Sequence, residues 1–461
     1  MKPSDVQSFY AEEAAIDGES HVVLEYVFET AGDSFEAAAH LCQESSTAQW
    51  CRPGVDEDFR PKHAAKVIGL DAIEESGVSA FGASLDDGRK FRRARVRIAH
   101  PHDNFGARLP NLLTAAMGEG VFHCHGVSAI KLVDMVFPAS YLESFQGPQF
   151  GARGLRELLS AEGRPLFFGV VKPNVGLDPK SFAALAREAW EGGLDAAKDD
   201  EMLSDPDYSP FSERMRLVGE ARRDAENSTG ERKIFIANIT DEVDRIRELH
   251  DIAVANGVNA VMVNAMAVGL SAVRMLRKHA SVPIIAHFDC IAPMSRHPLY
   301  GVSTTVITKL ERLSGCDAVI MPGFGPRMGT PEEEVLANCA ECTKPLGHVA
   351  SALPVPGGSD WAGTLPDMYE KLRTHDFAMV PGRGVFGHPK GPRAGAMSLR
   401  QAWEAVHAKI PLEEYAKSHA ELADAIAAFG VKEAAESSTL RVSGIPTFRG
   451  FTGASLFFGK N

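Results

Sequence analysis

The chain has 461 residues, 44% hydrophobic and 24% charged, a length that predicts at least two domains and a composition ordinary for a globular protein. Its formal net charge of -13, with no lysine and arginine cluster to override it, argues against a nucleic-acid partner, and no apolar run is long enough to predict a membrane span. Seven cysteines, odd in number and scattered, read as reduced thiols rather than a disulfide framework.

The first twenty residues are polar and acidic, without the basic and apolar regions that secretion requires, and predict a cytoplasmic protein. Strands are expected at 21–29, 64–73, 92–100 and 130–138, with helices at 34–44 and 107–118. These elements predict a separate α+β domain over residues 1–150.

From Pro165 onward, short apolar runs alternate with helical stretches. The runs are 165–171, 194–200, 233–239, 260–265, 283–288, 318–323, 348–358 and 377–382, each bounded by glycine, proline or polar residues as buried parallel strands are. Asp178 is placed to cap one helix, and Thr330 and Pro331 followed by three glutamates open another. Eight such units predict a (β/α)₈ barrel within residues 151–410, followed by a helical C-terminal tail over 411–461. Cys339 and Cys342 form a CxxC in one of these helices, but no second pair completes a zinc site, so they read as plain thiols.

Barrel chemistry sits at the C-terminal strand ends, which directs attention to a few residues. Lys198, Asp200 and Glu201 close the second barrel strand, and two carboxylates beside a lysine offer hard oxygen ligands for Mg²⁺ once the lysine becomes an anion. Lys172 ends the first strand and can polarise a carbonyl or relay a proton. Strands seven and eight end in Gly357-Gly358 and Gly382-Arg383-Gly384, turns suited to a phosphate, with Arg383 adding charge. His287, a candidate catalytic imidazole, ends strand five, Asp289 reads as a turn cap, and Arg327 lies on a glycine-rich loop after strand six that can act as a lid.

Together these motifs resemble the RuBisCO large-subunit superfamily over nearly the whole chain, and within it the RuBisCO-like (form IV) proteins. GGLDAAKDDE resembles the family's metal motif, which implies Lys198 as a CO₂-derived carbamate and, with Asp200 and Glu201, a Mg²⁺ ligand. VKPNVGL resembles the loop of the substrate-polarising lysine, here Lys172. GRGVFGHP and PVPGGSD resemble the phosphate cradle, and GFGPRMG the mobile loop, with Arg327 where a carboxylase has lysine. QESSTAQW is similar to the segment that reaches a partner's active site, which implies a homodimer in which Glu44, Gln49 and Trp50 complete a shared site. The likeness also implies a ferredoxin-like N-terminal domain.

The departures are Asn174 for a second loop lysine, Glu119 for an asparagine, and Phe288, Ile320 and Pro356 where a distal phosphate would be gripped. Burying a phosphate dianion against Phe288 and Ile320 without donors is prohibitively costly, so the expected substrate carries one phosphate. The resemblance then implies an enediolate-forming enzyme rather than a ribulose bisphosphate carboxylase. The pattern is most like 3-oxo-isoapionate-4-phosphate decarboxylases or transcarboxylases. A methionine-salvage enolase or 5-methylthioribulose-1-phosphate isomerase is the alternative, and a catalytically silent sugar-phosphate-binding scaffold is the reading from another class.

Overall fold

The computed structural model describes residues 6–47, 60–325 and 327–432. The N-terminal region forms strands β1 (His21–Thr30), β2 (Lys66–Ser76), β3 (Phe91–Pro101) and β4 (Val127–Val136), with helix α1 (Ser34–Glu44) after β1 and α2 (Leu109–Met117) before β4. Sheet order β4-β1-β3-β2 with all three neighbours antiparallel is the ferredoxin-like arrangement. In β1 alternation buries Val22, Leu24, Tyr26 and Phe28, which pack in one core with Leu41 of α1 and Leu109 and Leu112 of α2. Asp33 caps α1 by accepting the Phe35 and Glu36 N–H groups at 2.9 and 3.1 Å.

The barrel strands are β5 (Leu166–Val170), β6 (Ala196–Lys198), β7 (Ile234–Asn238), β8 (Ala260–Val263), β9 (Ile284–Ala286), β11 (Ala318–Pro322), β12 (Leu353–Gly357) and β13 (Ala378–Met379). The helices following them are α3 (Pro179–Glu191), α4 (Phe211–Thr229), α5 (Ile246–Ala255), α6 (Leu270–His279), α7 (Thr304–Ser314), α8 (Glu332–Thr343), α9 (Leu365–Leu372) and α10 (Gly391–Ala408). Each predicted apolar run contains one strand, and all pair in parallel in the order β12-β11-β9-β8-β7-β6-β5-β13, a nearly closed barrel. Alternate residues such as Phe168, Ile236, Met262, Ile285, Ile320 and Val355 fill the interior. Leu155 and Leu159 of the preceding helix join this interior cluster.

One strand was not expected. β10 (Gly301–Val302), from the excursion between β9 and α7, pairs in parallel with Lys131 and Leu132 of β4 and so adds a barrel segment to the N-terminal sheet. The buried Lys131 ammonium donates to the carbonyls of Ser295 and His297 at 2.7 and 2.8 Å, tying the two regions together. A two-residue strand has too little pattern to be read from sequence.

Helix α11 (Ala420–Phe429) packs on α10. Cys339 and Cys342 are buried on α8, and Cys339 Sγ lies 3.9 Å from Met321 Sδ. No helix among the described residues is long and apolar enough to cross a membrane.

Candidate active site

β6 ends at Lys198, and the three following acidic residues sit in the turn at the barrel mouth. Two of these face the mouth and the third holds the turn. Lys198 is almost fully buried; its ammonium donates to the Asp199 carbonyl at 2.8 Å and to Glu201 Oε2 at 3.1 Å. Burial lowers its pKa from the usual lysine range, with Glu201 and Asp200 pulling the other way. That favours the neutral amine a carbamate requires. Burial alone would raise Glu201, but Lys198 and His287 beside it outweigh this and hold its carboxyl down to about 2.

The second lysine closes the other half of the cluster. Lys172 Nζ, just past β5, donates to Asp200 Oδ2 at 2.8 Å and to Asn174 Oδ1 at 2.6 Å. His287 Nε2 lies 3.3 Å from Glu201 Oε2 and 3.6 Å separates its Nδ1 from Asp289 Oδ2, although Nδ1 makes no hydrogen bond. A Cβ at Gly382 would come within 2.7 Å of Lys172 Cε, so glycine there leaves room for this side chain. Lys172, Asn174, Lys198, Asp200, Glu201, His287 and Gly382 therefore form one group drawn from four strand ends.

Beneath them lies a device that sequence reasoning missed. Asp199 and Arg214 of α4 are both fully buried and 3.1 Å apart, and Asp199 Oδ2 also accepts the Asn238 N–H at 3.0 Å. Burial pushes the Asp199 carboxyl up despite the guanidinium beside it. Asn238, ending β7, donates from Nδ2 to the carbonyls of Glu201 and Leu203 at 3.0 and 3.2 Å, fixing the path of the turn that carries Asp200 and Glu201. Its signal was available: an asparagine at a barrel strand end, in FIANIT.

The glycine turns adjoin each other. Gly323 N–H donates to the Gly357 carbonyl at 2.8 Å, and a Cβ on Gly358 would press on Met328 at 2.9 Å, so the Arg327 loop rests against this turn. Gly384 is required because a Cβ would lie 2.3 Å from the Asp360 carbonyl. Arg383 is exposed and lays its guanidinium 5.5 Å from the Phe429 ring of α11, while Arg327 is exposed on its loop. Ile320 lies in the barrel interior, and Phe288 packs on that cluster and stacks on His287 with centroids 4.7 Å apart.

Asp360, buried between the two turns, accepts the Val380 N–H at 3.3 Å. Burial is the largest influence on its carboxyl, which is pushed up to about 6. A folded-state pKa above the unfolded one means the folded protein binds the proton more tightly, so stability falls as pH rises through this window. Relative to Asp360→Asn, wild type is expected to lose on the order of 3 kcal/mol between pH 4 and 7.5. Urea midpoints at both ends test this; equal pH slopes for the two proteins would refute it.

In the N-terminal domain the Glu44 carbonyl lies against Gly120, where a Cβ would come within 2.3 Å of it, and Glu119 lines a cavity of about 450 Å³ with Met117, Gly118, Phe122 and His123. Gln49 and Trp50 lie outside the described residues. A further cluster within ligand reach of a metal ion, among the described residues, is His250, Asp251 and His279 on α5 and α6. There Asp251 Oδ1 already bridges the two rings at 2.8 and 2.7 Å.

The family model for the ribulose bisphosphate carboxylase large chain, N-terminal domain, matches residues 9–141, and that for its catalytic domain matches residues 151–429. The chain belongs to the RuBisCO large-chain family. It is 57% identical to a ribulose bisphosphate carboxylase-like protein of Allochromatium vinosum, over 93% of this chain and 94% of that one. It is 35% identical to a 3-oxo-isoapionate-4-phosphate decarboxylase of Rhizobium etli, over 88% and 98%. Among solved structures, a rubisco-like protein from Burkholderia fungorum superposes with a TM-score of 0.81 at 31% identity, covering 89% of this chain and all of that one. Within this RuBisCO-like group the named decarboxylase is thus the more distant relative.

The donor set fits the family's magnesium and lysine carbamate. Two carboxylates, Asp200 and Glu201, converge with a buried lysine, and in the structure their negative charges are met by Lys172 and Lys198 rather than by arginines that would compete permanently.

Proposed function

We propose that this RuBisCO-like chain is an enzyme that forms an enediolate from a singly phosphorylated keto-sugar acid, acting as a 3-oxo-isoapionate-4-phosphate decarboxylase or transcarboxylase rather than as a carboxylase. The carrying observation is the convergence of Lys198, Asp200, Glu201, Lys172 and His287 at one barrel mouth. Lys198 as a carbamate, Asp200 and Glu201 would hold Mg²⁺, which when bound neutralises negative charge developing on adjacent substrate oxygens. Lys172, steered by Asn174, donates to a substrate carbonyl oxygen as charge builds there. The His287 imidazole takes a proton from the substrate and returns it to carbon or oxygen, its ring oriented by Glu201 beside Nε2. The phosphate is anchored at the Gly357-Gly358 and Gly382-Arg383-Gly384 turns, and Arg327 closes over it from its loop.

The Rhizobium etli relative favours the β-keto-acid arm, since loss of CO₂ from such an acid gives the same enediolate. The relative at 57% identity carries no reaction in its name. A second reading, enolisation or isomerisation of a methylthio-sugar phosphate, draws support from Phe288, an apolar ring stacked on His287 beside the charged cluster. The assay supplies Mg²⁺ and bicarbonate and follows CO₂ release or proton exchange with each candidate. CO₂ release from the keto acid supports the first reading, and exchange restricted to the methylthio substrate supports the second. Neither, with any substrate, would leave the silent scaffold.

Glu44, with Gln49, Trp50 and Glu119, is placed to complete the site of a second copy in a homodimer. Mixing inactive Glu44→Ala and Lys198→Ala subunits is expected to restore up to about a quarter of wild-type activity by forming intact sites in heterodimers. No recovery after demonstrated subunit exchange would dismiss the shared site.

A further inference from the structure

A second concave site lies away from the barrel mouth. Between α2 of the N-terminal domain and helices α5 and α6 of the barrel is a cavity of about 560 Å³, lined by Ala107, Pro110, Asn111, Ser271, Met275 and four cations: Arg108, Arg247, Arg274 and Lys278. No carboxylate is among the lining residues. None of the four makes an ion pair among the described residues, in a chain whose formal charge is -13 and whose other arginines are mostly matched with acids. Four uncompensated cations around one hollow repel each other, a cost that an occupant of opposite charge removes.

The cations are also held differently. Arg274 is fixed: its guanidinium donates to the Ala107 and Ser144 carbonyls at 3.0 and 3.2 Å and lies 4.4 Å from the Phe145 ring centre. These neutral partners orient it without neutralising it. Arg108, Arg247 and Lys278 are exposed, and their side chains have no hydrogen-bond partner among the described residues, leaving them free to fold over a ligand. The nearest acids along α5 are engaged elsewhere, Asp251 with His250 and His279 and Glu248 with the field of Arg245.

We propose that this cavity binds a compact polyanion bearing at least two phosphoryl groups. Guanidinium forks match phosphate oxygens bidentately, and three arginines with a lysine balance two to four negative charges. A hollow of this size suits a small molecule rather than a flat macromolecular surface. The same surplus of cations opposes a divalent metal at the neighbouring His250, Asp251 and His279. Because the site straddles the joint between the domains, its occupant touches both.

Inorganic pyrophosphate is the probe, titrated calorimetrically into the full chain at about 0.1 M salt. Wild type is expected to show saturable binding that weakens as salt rises. The Arg247→Glu/Lys278→Glu variant is expected to lose at least about tenfold in affinity with its unfolding transition unchanged. Arg383→Gln, at the glycine turns, is expected to retain it, which separates this site from any phosphate held there. Should the double variant not fold, Arg108→Gln serves in its place, with a smaller loss expected. Unchanged affinity in the variant that folds, or no saturable binding by wild type, overturns the proposal. So does a change in sedimentation of the variant without loss of pyrophosphate, which would make the cavity a contact between copies.

Discussion

Replacing Lys198 with alanine is expected to lower magnesium-dependent kcat/KM by a factor of about 10³ or more, equivalent to about 4 kcal/mol of transition-state stabilisation. Lys198 is almost fully buried, its amine lies 3.1 Å from Glu201, and burial draws its pKa down so that the neutral form is accessible to CO₂. Without it, Asp200 and Glu201 remain but lack the third anionic ligand a carbamate supplies, and the Glu201 carboxyl loses the main charge that depresses it. Lys198→Met, which keeps the volume, separates loss of chemistry from loss of packing. The check is twofold: turnover, and a carbon-13 carbamate signal from labelled bicarbonate that is present in wild type and missing in both variants. Activity within tenfold of wild type in either variant would remove the carbamate from the reaction.

The largest expected effect on stability comes from the adjacent residue. Asp199→Ala leaves the Arg214 guanidinium fully buried with neutral partners alone, the Ser204 and Ser209 carbonyls, the Ser209 hydroxyl and the Phe211 ring. Breaking one side of a buried ion pair costs about 3–5 kcal/mol, because the remaining charge has neither water nor a counter-ion. The loss also frees the Asn238 N–H, at the point where Asn238 holds the Glu201 and Leu203 carbonyls. Activity should therefore fall along with stability. Denaturant midpoints for Asp199→Ala, Arg214→Met and the double variant check this: the double variant should be less destabilised than the sum of the single ones. Strict additivity would mean that the two side chains do not act as a pair.

These two residues mark where sequence reasoning stopped. Lys198, Asp200 and Glu201 were legible because a lysine and acids crowd a strand end, where barrels do their chemistry. Asp199 in the same motif was not singled out, since whether an acid in such a turn faces the mouth or Arg214, fifteen residues along, depends on how α4 packs. Arg383 and Arg327 were legible as basic residues on glycine-rich turns. That Arg383 leans on Phe429 is a matter of where α11 docks, which local pattern does not encode.

By itself the sequence determined the alternation of strands and helices, an α+β region ahead of a barrel region, and the order in which Lys172, the Lys198–Glu201 stretch and the glycine-turn residues arrive at one end of the barrel. The reason is that strand period, caps and turn residues are local, and parallel strands in a barrel place all their C-terminal ends together. Only the tertiary structure decided the pairing of Lys172 with Asp200 and of Lys198 with Glu201, the attachment of β10 to the N-terminal sheet, and the four cations around one hollow. Each joins residues distant in the chain, and electrostatic energy depends on separation in space.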